Sequence, residues 1–188
     1  MERTARFISH LAAPALLVSL LLLSLPLREP GVSWGSALLA TVFTTGLPWI
    51  ALLLARRAGR VSDIHVTRRE QRWPLLVFCL VSIAAGLGLL AWTGAPAAVM
   101  REVLLVLAGL IVTGAVTLWW KISIHAAVAA FVFFTAGAGV PWGAHAAAAG
   151  LVLVCWTRVR LNHHTPSQVA AGSLVGLAVS LAGWFLTA

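Results

Sequence analysis

Apolar residues run along the chain in seven blocks, at approximately 8–27, 35–55, 74–92, 98–120, 124–140, 143–157 and 167–187. A helix needs roughly 20 apolar residues to cross the hydrocarbon of a bilayer. Backbone exposed to lipid must satisfy its own hydrogen bonds, so each block is predicted to be a helix. The breaks between blocks carry helix-disfavouring chemistry: Arg28-Glu29-Pro30-Gly31, Thr93-Gly94-Ala95-Pro96 and Gly139-Val140-Pro141. Trp34, Trp73, Trp92, Trp119, Trp120, Trp142, Trp156 and Trp184 fall near block ends, as an aromatic belt at the headgroup level requires, and Trp49 is the exception. Gly86, Gly88, Gly109 and Gly114 lie inside blocks, where glycine permits close helix contact.

Composition sharpens this picture. Hydrophobic residues make up 61% of the 188 and charged residues 10%, against about 25% charged in a soluble domain. The expected fold is an all-α polytopic transmembrane bundle of about six or seven spans, a single domain over residues 1–188. Cys79 and Cys155 sit inside apolar blocks and read as small buried hydrophobes, not a disulfide framework. Arg3 and Arg6 before the first block imitate a signal peptide, but the block continues too far for a typical signal core and reads as the first span.

The formal charge of +8 does not point to nucleic acid, because the basic residues occupy short loops between spans. Following the spans, the N-terminus, loop 56–73, junction 121–123 and loop 158–166 share one face, which holds all the Lys and Arg except Arg28 and Arg101. The positive-inside rule places that face in the cytoplasm of a multi-pass cell-membrane protein. Arg3, Arg6, Arg56, Arg57 and Arg60 preserve the bias even when basic residues with a catalytic reading are set aside.

Three segments on that face carry the unusual polar chemistry: Asp63 to Pro74, Lys121-Ile122-Ser123-Ile124-His125, and Arg158 to Gln168. Arg and Lys complement phosphate oxygens by charge and forked hydrogen bonds. Paired histidines can divide nucleophilic and acid-base work. No carboxylate cluster suggests a metal, and no cofactor is expected. The chemistry implied is metal-independent phosphoryl transfer.

The spacing Arg158, five residues, His164, three residues, Gln168, together with Ser123-x-His125 and the basic first segment, resembles the type 2 phosphatidic acid phosphatase (PAP2) superfamily. That family carries Lys-x6-Arg-Pro, Pro-Ser-Gly-His and Ser-Arg-x5-His-x3-Asp motifs. The resemblance covers roughly residues 56–175 and implies a PAP2/vanadium-haloperoxidase-like core. It implies His164 as the nucleophile that forms a phospho-histidine, and His125 as the acid that protonates the leaving alcohol. Gln168 would orient His164, and Arg69, Arg72, Lys121, Ser123 and Arg158 would bind phosphate. The substrate implied is a phosphomonoester or diphosphate of a lipid or polyprenyl alcohol. Gln168 stands where the family has Asp, Ile124 where it has Gly, Lys121 where it has Pro, and Thr157 where it has Ser. Counting back from Arg72 places His65 at the lysine position, with Trp73 before Pro74. The alternatives are a lipid phosphotransferase or isoprenoid-diphosphate-processing enzyme on the same fold, or a non-catalytic lipid-binding or transport protein.

Several of these residues also have plain structural readings. Thr165-Pro166-Ser167-Gln168 has the pattern of a capping box, so Gln168 could serve the helix end alone. Arg56, Arg57 and Arg60 read as topogenic charges, His10 and His145 as structural, and Arg101 with Glu102 as an interfacial pair.

Overall fold

The computed structural model describes residues 2–61 and 72–186. All regular structure among them is helical. The elements are α1 (Glu2–Leu11), α2 (Pro14–Arg28), α3 (Trp34–Thr41), a π-helical turn (Val42–Gly46), α4 (Leu47–Arg57), α5 (Arg72–Trp92), α6 (Ala97–Thr117), α7 (Ile124–Gly137), α8 (Gly143–Arg160) and α9 (Pro166–Phe185).

The predicted blocks are mainly helical, but block 8–27 is broken at Ala12-Ala13 into two helices, and not every helix has the dimensions of a span. Four are long and apolar enough to cross a membrane: Trp34–Arg57, Trp73–Trp92, Ala97–Thr117 and Pro166–Phe185. A fifth is obtained if α1 and α2, bent by 41° at their junction, count as one. The block at 124–140 yields a helix of 14 residues, about 21 Å long at 1.5 Å per residue, which is shorter than the hydrocarbon layer. Helix α8 is long but rich in alanine and glycine, with two arginines in its last turn. All nine tryptophans are at least one-third exposed, Trp92, Trp119 and Trp142 by more than three-quarters. Such exposure leaves the rings accessible at the surface, Trp49 among them from within the span Trp34–Arg57.

The chain divides into two compact units, Ser19–Leu110 and Met1–Val18 with Ile111–Ala188. In the first, Trp34–Arg57 is continuous through its π turn. Pro48 has no N–H, and in an α-helix its ring would strike the carbonyl of Thr44. The chain widens there, and the N–H of Leu47 reaches the carbonyl of Val42. The Phe43 carbonyl, which an α-helix would have bonded to Leu47, instead accepts from the Ser82 hydroxyl at 2.5 Å. Gly86 on α5 lies directly against the Phe43 side chain, where a Cβ would collide.

The second unit is built around α7, the shortest of its apolar helices and the most enclosed. Ala126, Ala127, Ala129, Ala130, Phe131 and Val132 are all buried. Gly137 meets Gly143, and Phe133 meets Gly150, so α8 runs antiparallel to α7. Gly172 meets Ser123, Gly176 meets Ala127, and Ser180 bonds Thr135 at 3.1 Å, so α9 runs parallel to α7. At Gly172 and Gly176 a Cβ would overlap the α7 backbone carbonyls of Ser123 and Ala127. The two glycines, four residues apart, let the helices touch backbone to backbone. This up-down-up course brings the start of α7, the end of α8 and the start of α9 to one end of the unit.

Candidate functional site

Helix α8 stops in a Schellman turn. The N–H of His163 reaches the carbonyl of Arg158 at 3.1 Å and that of Asn162 reaches Val159 at 3.0 Å. Asn162 takes the left-handed conformation the turn requires, at φ 54°, which asparagine tolerates better than most side chains. The N–H of His164 also bonds the Arg158 carbonyl, at 3.2 Å. The separation of Arg158 and His164 is therefore set by one closed turn that holds both residues by the same carbonyl.

The chain then enters α9 through the expected capping box. Thr165 Oγ1 accepts from the Gln168 N–H, and Gln168 Oε1 accepts from the Thr165 N–H at 3.1 Å. The same Gln168 Oε1 lies 3.2 Å from His164 Nδ1. Capping and orientation, which the sequence poses as alternatives, are carried by one atom. The chemistry also fixes the tautomer. The Thr165 N–H can only donate, so the amide presents its oxygen there, and His164 Nδ1 carries the proton it shares with that oxygen.

The second polar segment is tied to the third through the backbone. The Ser123 N–H donates to the Gln168 carbonyl at 3.2 Å. Ser123 is fully buried, and its hydroxyl caps α7 by accepting from the Ala126 N–H at 3.3 Å. His125 follows in the first turn of α7, at this same end of the unit. Lys121 is half-buried just before the cap and shares a backbone hydrogen bond with His164. Two helix N-termini, α7 and α9, thus open where Lys121 and Arg158 supply positive charge, an arrangement suited to an anion.

His164 is held well below the ordinary histidine value, at about 4. Burial is the main cause, followed by the charges of Arg158 and Lys121. The hydrogen bonds with Gln168 and the Lys121 backbone oppose these. At neutral pH the ring is uncharged, the form with a nucleophilic lone pair.

Arg158 is 3% exposed, and its Nη1 donates to the Ser9 hydroxyl of α1 at 2.7 Å. Nothing in the sequence signals this contact across the length of the chain. The pairing of Gly172 and Gly176 with the small residues of α7 is marked in the sequence only by a Gly-x3-Gly pattern in an apolar block. Arg69 lies outside the described residues. Arg72 opens α5 in the other unit. His145 stands at the far end of α8 from Arg158, with its ring 5.4 Å from that of Trp142. Among the described residues, no group of three or more His, Cys, Asp or Glu could hold a metal.

The chain matches no family model, no curated protein and no solved structure.

Proposed function

We propose that this membrane protein is a PAP2-like phosphatase that hydrolyses a phosphomonoester or diphosphate of a lipid or polyprenyl alcohol. The observation that carries the reading is His164, neutral, with Nδ1 on Gln168 and within the fields of Arg158 and Lys121. In the proposed reaction Nε2 of His164 attacks phosphorus and forms the N–P bond as the P–O bond to the leaving group breaks, a lipid alkoxide from a monoester or a lipid phosphate from a diphosphate. His125 gives its proton to the departing oxygen. Water then attacks the phospho-histidine, His125 takes a proton from it, and the N–P bond breaks to release phosphate. Arg158 and Lys121 stabilise the charge on the transferring group, as cationic side chains do in phosphoryl transfer. A glutamine supports the imidazolium less than a carboxylate, so the first step relies more on these cations.

The alternative of a lipid-binding protein without turnover draws on one observation: the complete capping box gives Gln168 a structural role by itself. Phosphate release by purified protein in EDTA, across phosphatidate, phosphatidylglycerol phosphate and polyprenyl phosphates and diphosphates, separates the two. Release from at least one substrate is expected, and release from none overturns the proposal. The site is proposed to face the cytoplasm. A cysteine at exposed Arg160, in a chain with Cys79 and Cys155 replaced by alanine, should be shielded from an impermeant thiol reagent in intact cells. Ready labelling there would reverse the orientation.

A further inference from the structure

We infer that Ser9 is a positioning residue for the phosphate site, holding the Arg158 guanidinium from the N-terminal helix. The inference rests on the proposed phosphate-binding role of Arg158. Three observations carry it. Ser9 is 2% exposed on an α1 whose other residues are mostly exposed, so the helix turns this hydroxyl inward. The hydroxyl accepts from Arg158 Nη1 at 2.7 Å, a short charge-assisted bond between residues 149 apart in sequence. Arg158 is also fixed at its backbone, whose carbonyl closes the turn bearing His163 and His164. With the main chain held by that turn and Nη1 held by Ser9, both ends of the side chain are tied down.

The choice of partner matters. A carboxylate at position 9 would orient the guanidinium but also cancel its charge. A hydroxyl orients it and leaves the charge intact. That charge reaches the reacting group, since Arg158 is one of the causes that hold His164 low. Helix α1 thereby becomes part of the site, although it lies outside all three polar segments.

The test uses full-length protein in nanodiscs, with orthophosphate and orthovanadate binding as the readout and thermal unfolding measured in parallel. Ser9→Ala removes the acceptor, Ser9→Cys keeps the volume with a weak acceptor, Ser9→Thr keeps the hydroxyl, and Ser9→Asp adds charge. Loss of a hydrogen bond to a charged group predicts about tenfold weaker anion binding in Ser9→Ala and Ser9→Cys. Ser9→Thr should recover most of the affinity, and Ser9→Asp should bind more weakly than Ser9→Ala. With a turned-over lipid phosphate, Ser9→Ala should raise KM more than it lowers kcat. Wild-type affinity in folded Ser9→Ala or Ser9→Cys, with affinity lost in Arg158→Ala, would overturn the role of Ser9 and leave the site reading standing. Failure of the wild type to bind either anion would overturn the site reading and this inference together.

Discussion

Two regions of the molecule concentrate polar side chains, and the contacts that place those side chains differ in kind. In the unit Ser19–Leu110, Arg101 bonds Glu29 at 3.1 Å and lies 3.7 Å from Glu102. Both carboxylates there have the Arg101 guanidinium beside them. In the other unit, the contacts that place Arg158 and His164 include neutral groups: a serine hydroxyl, a glutamine oxygen and the Arg158 carbonyl. Opposite charges placed together tie α6 to the loop after α2. A hydroxyl or amide partner orients a cation without adding a charge of its own, which is what the proposed phosphate site requires. The comparison sets an ion-pair arrangement beside a proposed anion site, each with a buried charged residue, Glu102 and Arg158.

The comparison breaks most clearly through turnover. His164→Ala should lower phosphate release by more than about 10⁴-fold, the scale for losing a nucleophile, and His125→Ala by roughly 10²–10⁴. Glu102→Gln should leave release near the wild-type rate. Full activity in His164→Ala would refute the nucleophile, and loss of activity in a folded Glu102→Gln would refute the structural reading of the carboxylate.

Stability should respond in the reverse order. Arg101→Ala leaves the buried Glu102 carboxylate without its neighbour and should cost about 3 kcal/mol of unfolding free energy. Chemical denaturation in detergent measures it, and an unchanged midpoint would mean the ion pairs contribute nothing.

Gln168 tests the neutral-partner principle directly. Gln168→Glu keeps both acceptor contacts and adds a negative charge, so the His164 pKa should rise from about 4, as read by NMR titration of the ring. Gln168→Ala keeps Thr165 as N-cap but removes the reciprocal bond of the capping box, and should destabilise by about 1 kcal/mol. A His164 pKa unmoved by the glutamate would show that the Gln168 contact does not govern the ring.

The same ring should also give stability a slope against pH. His164 has a folded pKa of about 4 against an ordinary value of 6.5. Between those values the unfolded chain takes up a proton that the folded chain refuses. Stability should therefore fall as pH drops from about 6.5 to about 4 and level off below. The slope should be reduced in His164→Gln. Equal slopes in the two proteins would mean that His164 is not held neutral.

Periodicity and composition alone determined that the chain is helical and apolar, and where most of the helices break but not the one at Ala12-Ala13, because lipid favours a backbone that satisfies its own hydrogen bonds. The capping box at Thr165 and Gln168 was legible too, since caps are local and depend on residues only three apart. Span count was less legible: block length does not reveal that α7 would be short and enclosed by α8 and α9. Folding decided what local rules cannot reach. It placed Gly172 and Gly176 against α7, gave one glutamine oxygen two partners, and closed the Arg158 carbonyl over His163 and His164. It also brought Ser9 to Arg158, a contact set by the packing of α1 on α8, which no spacing within either helix encodes.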